Sequence, residues 1–228
     1  MATFVMRVWL PDRPGALGQV ASRIGAVRGD VVAIDILERE GGQAIDELVI
    51  ELPNEQLVGL LVAEVRQVDG VAVEEVRSVG DALHDPRLDA LEAAAQLVGA
   101  VDADELLKSV VTHARRVIGA KWAAVISIDA VASDDGVLVA DPDAPSRAWL
   151  EAFLAGSRAA EQAGQHAPAT SDVLWAPLPS SGLALVLGRP SMAYRSRERH
   201  QAAALARVVD TRLRELDRAR SRSRHPSS

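Results

Sequence analysis

From Thr3 to Leu10, apolar and mixed positions alternate: Phe4, Met6, Val8 and Leu10 share one face, and Val5, Arg7 and Trp9 share the other. A period of two marks a β-strand, and Pro11 ends it. In Asp12-Arg13-Pro14-Gly15 the proline is suited to a first helical position, with an acidic residue beside the unpaired N–H groups of a helix start. Ala16, Leu17, Val20, Ala21 and Ile24 then recur at helical spacing until Gly29-Asp30. Val31 to Glu40 alternates again, with Val32, Ile34 and Ile36 opposite Ala33, Asp35 and Leu37. Both residues of Gly41-Gly42 accept positive φ, so the pattern predicts a hairpin returning as Ile45 to Leu52, with Leu48, Ile50 and Leu52 inward. Asn54 caps a second helix carrying Leu57, Leu60, Leu61 and Val65, Asp69-Gly70 ends it, and Val71 to Val79 is the last strand.

The order is βαββαβ, which predicts an α+β fold of the split βαβ or ferredoxin-like kind, with two helices on one face of a four-stranded antiparallel sheet. Many unrelated functions share that arrangement. Arg7, Trp9, Asp35, Glu47, Val49 and Glu51 project from the opposite face. Their charges are expected in water, and Trp9 is expected to be covered by a second domain or a partner chain.

Residues 81–85, followed by Pro86, interrupt the pattern and mark a boundary. Leu88, Leu91, Ala95 and Val98 recur at helical spacing, so Leu88 to Ala100 reads as an alanine-rich connecting helix that is stable only when packed, a candidate for dimerisation. Asp102 to Glu105 opens a further helix with Leu106, Leu107, Val110, Val111, Ala114 and Val117 inside, stopped by Gly119. Trp122 to Ile128 is a short strand, Asp129 to Pro145 a loop, and Ser146 to Ala163 a helix. Two strands, Asp172 to Leu178 and Leu183 to Leu187, then meet at Ser180-Ser181-Gly182 before a long helix from Glu198 to Leu216. The expected organisation is an N-terminal domain over 1–80, a linker and connecting helix over 81–101, a second α/β domain over 102–217 and a basic, serine-rich tail without regular structure over 218–228.

Composition narrows the chemistry. With 48% hydrophobic and 25% charged residues the 228-residue chain folds, and a net charge of −7 gives no pull toward phosphate backbones, so nucleic acid is not an expected partner. Absence of cysteine removes disulfides, thiolate nucleophiles and sulfur-ligated metals. No stretch approaches the roughly 18 apolar residues of a membrane span, and a soluble, cytoplasmic protein is the expectation. His84, His113, His166, His200 and His225 lack the paired helical spacing of a zinc site. Asp134, Asp135, Asp141 and Asp143 do not follow a calcium-loop spacing. Ser180 and Ser181 stand outside any nucleophile elbow, and Gly15, Gly18, Gly25 and Gly29 are spread along a helix rather than gathered in a phosphate cradle. Neither a metal nor a cofactor is expected.

The turn Asp12-x-Pro14-Gly15-x-Leu17 after the first strand, with the glycine-containing link into the second, resembles the ACT domain, a small regulatory module that binds amino acids; the resemblance covers residues 3–79. Gly15 lets a ligand approach the backbone, and the N–H groups of Gly15, Ala16 and Leu17, at the positive end of a helix, suit a carboxylate. The resemblance implies that the ligand's ammonium and side chain meet the start of strand two of a neighbouring copy, here Asp30, Val31 and Val32, and Asp12 of the turn is counted among the ligand-binding residues. A homodimer is therefore implied. Val173 to Leu178, Gly182 to Leu187 and Arg197-Glu198 leading into Ala202 to Leu213 resemble the GAF domain, a sensory module, over residues 102–216, without a cysteine to hold a tetrapyrrole and without a cyclic-nucleotide motif.

The expectation is a non-enzymatic regulatory or sensory protein that binds a small amino acid at an ACT-domain dimer interface and passes the change to an unidentified protein partner. The alternative is a ligand-free scaffold in which Trp9, the connecting helix and the C-terminal helix make the contacts. Enzymatic activity would instead depend on Asp46 and Glu47 or on Asp134 and Asp135.

Overall fold

The computed structural model describes residues 1–79, 86–128, 137–164, 172–190 and 192–224. It is α+β, with two antiparallel sheets and six α-helices among the described residues, and divides into two compact units, Met1–Asp85 and Pro86–Ser228.

The first unit runs β1 (Ala2–Pro11), α1 (Ala16–Ala26), β2 (Asp30–Glu40), β3 (Gln43–Leu52), a 3-10 turn (Glu55–Leu57), α2 (Val58–Val65) and β4 (Ala72–Ser78). The sheet order is β2-β3-β1-β4, with every neighbouring pair antiparallel, which is the ferredoxin-like arrangement. One face forms the core: Phe4, Met6, Val8, Leu10, Leu48, Ile50 and Leu52 pack with Ala16, Val20 and Ile24 of α1 and Leu61 and Val65 of α2. Gly41 and Gly42 both take positive φ, at 60° and 78°, and close the β2–β3 hairpin as the alternation predicts. The Asn54 side chain accepts a hydrogen bond from the Gln56 N–H, so it caps the 3-10 turn and α2 proper begins at Val58.

Two expectations for this unit change. Pro14 is not the first helical residue; the chain makes one more turn, with Arg13 N–H on Pro11 O and Ala16 N–H on Arg13 O, and Gly15 at φ 88° opens α1. Arg7 is not in water. It is 3% exposed and donates to Glu47 at 2.9 Å, its cross-strand partner in the β1–β3 register, while Arg77 reaches the other Glu47 oxygen at 3.5 Å. Opposite charges facing one another across strands remove the need for solvent. Val5, Ile45 and Val49 on the same face are also buried, and Trp9 is half-buried.

At the edge of the sheet the helices leave β2 partly bare. Val31 reaches the core, but Val32, Ile34 and Ile36 are each 39–40% exposed.

The second unit contains α3 (Pro86–Gly99), α4 (Ala103–Ile118), β5 (Trp122–Ser127), β6 (Val137–Ala140), α5 (Arg147–Gln162), β7 (Val173–Leu178), β8 (Leu183–Gly188) and α6 (Ser196–Arg224), with sheet order β6-β5-β8-β7. Ala123, Val125, Leu185 and Leu187 on one sheet face pack with Leu106, Val110 and Ala114 of α4 and Leu205 and Val209 of α6. Ala124, Ile126, Ala184 and Val186 on the other face pack with Leu150 and Leu154 of α5. Asp102 caps α4 by accepting from Glu105 N–H, Gly119 ends it at φ 69°, and Ser146 caps α5.

Three differences from the sequence pattern stand out here. β6 falls inside the segment expected to be loop, because its four residues are too short a run to show alternation yet pair with β5 at Ala124↔Ala140 and Val125↔Val139. α3 belongs to the second unit and buries Ala93 and Leu97, with Ala100 buried just past its end, while Leu88, Leu91 and Val98 of the expected inner row are exposed. In an alanine-rich helix the small residues can form the packed stripe, so the large ones do not decide the face. α6 continues to Arg224, taking in most of the Arg-Ser segment for which composition predicts no regular structure.

The connection from β8 to α6 is locked by charge. Arg189 and Glu198, 4% and 6% exposed by side chain, form a two-pronged pair at 2.6 and 2.8 Å; Arg189 also donates to the carbonyls of Met192 and Ala193, and its guanidinium lies 4.1 Å from the centre of the buried Tyr194 ring. Glu198 further accepts the Arg195 N–H at 2.7 Å, tying the helix start to the same network. Glu198→Ala would strand a buried guanidinium and is expected to cost about 3–5 kcal/mol of unfolding free energy in a denaturant titration. By contrast, Asp104→Ala, which removes the solvent-exposed partner of Lys108, should leave the denaturation midpoint essentially unmoved.

Candidate functional site

The turn expected to hold a ligand is built by the end of β1 and the β2–β3 hairpin. Asp12 N–H donates to Gly42 O at 2.9 Å, and Arg39 Nε stands 3.9 Å from Asp12 Oδ1, so the turn is fastened to the hairpin by one backbone bond and one long ion pair. Gly15 is exposed, and a Cβ placed on it would meet no atom within 4 Å, so the backbone at the opening of α1 is accessible. Its φ of 88° is a conformation that other residues adopt only with strain. Of the three N–H groups expected to face a ligand, that of Ala16 is engaged by Arg13 O at 3.3 Å, and Gly15 O accepts from Gln19 N–H as the first helical turn closes. Ala16 is buried and Leu17 half-buried.

Asp30, Val31 and Val32 lie elsewhere. Asp30 pairs with Glu51 and Val31 with Ile50, whereas Pro11, at the turn, pairs with Gln43. These registers lie at opposite ends of the sheet, about 27 Å apart along β3 at the usual rise per residue. The separation follows from topology: β1 and β2 are both antiparallel to β3 and so run the same way, and α1 must carry the chain back to the far end before β2 begins. One chain therefore does not bring the two groups of residues together.

A residue the sequence reading did not place in the site sits nearer the turn. Asp46 lies on the helix-covered face, between Val8 of β1 and Ile36 of β2, is 3% exposed, and its Oδ1 has no hydrogen-bond partner among the described residues. Burial pushes its carboxyl above the usual range; Arg39 of β2 pulls it down and Asp12 of the turn adds to the rise. The signal was present in the pattern: Asp46 is in phase with the inward Leu48, Ile50 and Leu52, and a carboxylate at an inward strand position requires a reason.

The remaining candidates are occupied structurally. Asp141 is bound by Arg115 and accepts from Asp143 N–H, and Asp143 pairs with Lys121 at 3.1 Å. Asp134, Asp135, His84, His166 and His225 lie outside the described residues. His113 is buried among the core of α4, where burial and Arg116 push its imidazole below the usual value. Ser180 and Ser181 give their N–H groups, and Ser181 its hydroxyl, to the buried Asp210 of α6, which fixes the β7–β8 turn and uses both serines for structure. Among the described residues no group of three acidic or histidine side chains is placed to hold a metal. A polar groove of about 320 Å³ runs beside the turn, lined by Arg13, Gln19, Ser22, Arg23, Gln67 and Asp69.

The raised Asp46 carboxyl has a consequence for stability. The folded state holds its proton more tightly than the unfolded chain does, so stability falls as pH rises from the ordinary value near 3.8 through the raised one, and above that window the ionised group is a constant cost. Asp46→Asn is expected to raise the unfolding free energy of the first unit by about 1 kcal/mol at neutral pH, with the gain vanishing below the ordinary carboxylate value, as thermal melts at several pH values would read.

No family model and no curated protein matches the chain. Among solved structures it is similar to the ACT domain from the GTP pyrophosphokinase of Chlorobium tepidum, at 20% identity over 35% of this chain and 100% of that one, with a TM-score of 0.28. It is similar to an uncharacterized protein of Thermotoga maritima at 22% identity, over 35% of this chain and 96% of that one, with a TM-score of 0.27. A formyltetrahydrofolate deformylase from Pseudomonas putida is similar at 12% identity over 95% of this chain and 93% of that one, with a TM-score of 0.32.

Proposed function

We propose that this protein is a non-enzymatic regulatory protein whose first unit, an ACT-like module, binds a small amino acid between two copies of the chain. The observation that carries this reading is the open backbone at Gly15, where a helix of eleven residues begins in a left-handed conformation with room for a ligand beside it. The ligand's carboxylate would take the N–H groups of Gly15 and Leu17 at the helix opening, that of Ala16 being held by Arg13 O. The sequence resemblance over residues 3–79 supports the same assignment.

A second copy is needed because Asp30, Val31 and Val32 stand at the far end of their own sheet. β2 is an edge strand whose Val32, Ile34 and Ile36 are partly exposed, a surface that strand pairing would cover. If two β2 strands paired antiparallel, Asp30 to Val32 of one copy would run toward the hairpin end of the other, where the Asp12 to Leu17 turn lies. Ligand bound across that seam would favour the dimer over the monomer by its difference in affinity for the two states. The second unit, GAF-like in sequence, would receive the change and present it to a protein partner.

Isothermal titration with the twenty standard amino acids is expected to find at least one that binds below millimolar concentration. Binding by none, with the protein folded and dimeric, would leave the ligand-free scaffold as the function. Ile34→Lys places a charge in the edge row and is expected to shift the sedimentation profile from dimer to monomer, with amino-acid affinity falling at least tenfold in the same preparation.

A further inference from the structure

We propose that the end of α6 is a docking arm for double-stranded DNA, whose phosphates it meets on two sides of one helix. This role belongs to the second unit and is independent of amino-acid binding by the first. The helix outruns the core on which it packs. Leu216 is its last buried residue among those described, and Asp217 to Arg222 are all exposed. From Asp217 to Arg224 about 12 Å of helix continues past that point.

Arg214, Arg218 and Arg222 recur every four residues, which sets one guanidinium per turn, about 6 Å apart along the axis. Arg220 continues the inward phase of Leu213 and Leu216, so arginine stands where further packing would call for leucine. It lies about 160° around the axis from both Arg218 and Arg222. Among the described residues none of these four arginines has a carboxylate partner. The neighbouring Glu215 is held by Arg212 at 3.0 Å, and Arg222 Nε donates to the helix backbone at Arg218 O. Like charges one turn apart destabilise a helix, and an anionic chain laid against them removes that cost.

The rest of the extension selects among anionic partners. It carries no large apolar side chain to enter a lipid surface and no aromatic ring on which unpaired bases could stack. Arginines on opposite sides of a helix fit a groove with phosphates on both walls. The major groove of B-DNA, about 12 Å wide, admits a helix, whereas that of an RNA duplex is too narrow. A flat acidic protein surface would meet one side and leave the other unmatched. α6 has no lysine, and the planar fork of arginine suits phosphate oxygens. The chain's net charge of −7 gives no long-range attraction, so weak, salt-sensitive binding is expected.

The test titrates the full chain into a fluorescein-labelled DNA duplex of about 20 base pairs and mixed sequence, with anisotropy read at several salt concentrations. A Kd of about 1–100 μM near physiological salt is expected, and log affinity should fall against log salt with a slope of about −3.6, as for four neutralised phosphates. Combining Arg218→Gln, Arg220→Gln and Arg222→Gln should weaken binding at least about tenfold and flatten the slope to about −0.9. The melting temperature should not change, because these side chains lie outside the core. The wild-type slope needs no variant. No binding at about 100 μM protein, a slope near zero, or equal affinity in the triple variant overturns the assignment. So does equal or tighter binding of a single strand, which removes the groove, or of a polyglutamate peptide, which makes an acidic protein the partner.

Discussion

A charge taken out of water must be met by a partner, and this constraint organises both units. Arg189 is met by Glu198 and three backbone carbonyls, and the network pins the start of the C-terminal helix to the end of a strand. Asp210 is met by two N–H groups and a hydroxyl; burial alone would raise its carboxyl, but the Ser180 and Ser181 hydrogen bonds outweigh that and hold it below the usual range. Arg7 is met by Glu47 across the β1–β3 ladder. The Arg7 and Asp210 contacts join elements distant in sequence, and the Arg189–Glu198 pair fixes the connection between two consecutive ones, so the pairing orders the fold as well as offsetting desolvation.

Asp46 departs from this rule. It is as buried as the others, yet its Oδ1 lacks a donor and its carboxyl is pushed upward. Departures from local consistency tend to collect where function is carried, because a group satisfied only by a ligand is unsatisfied in its absence. Asp46 lies three positions along β3 from Gln43, the partner of Pro11 where the turn begins.

Topology supplies the second constraint. A parallel relation between β1 and β2 forces a crossover, and the crossover helix separates the turn after β1 from the start of β2 by the length of the sheet. The residues a sequence motif suggests as neighbours can meet only across two chains. The bare row on β2 lies on the edge at which such a meeting would occur.

The alternation of Phe4, Met6, Val8 and Leu10, the Gly41-Gly42 hairpin and the Asp102 cap were legible without coordinates, because hydrogen-bond geometry links local spacing directly to strands, turns and helix ends. The face buried by α3 was not legible, since alanines and leucines compete for the packed stripe and only α4 and α6 decide between them. Nor was β6, whose pairing energy comes from β5 rather than from its own residues. Local pattern alone determined the element order of the first unit and the inward phase that includes Asp46. Tertiary structure decided that Arg7 is buried, that Ala16 N–H is already engaged, and that Asp46 lacks a donor, because burial and partnership depend on which distant residues pack against a position, and spacing along the chain carries no record of that.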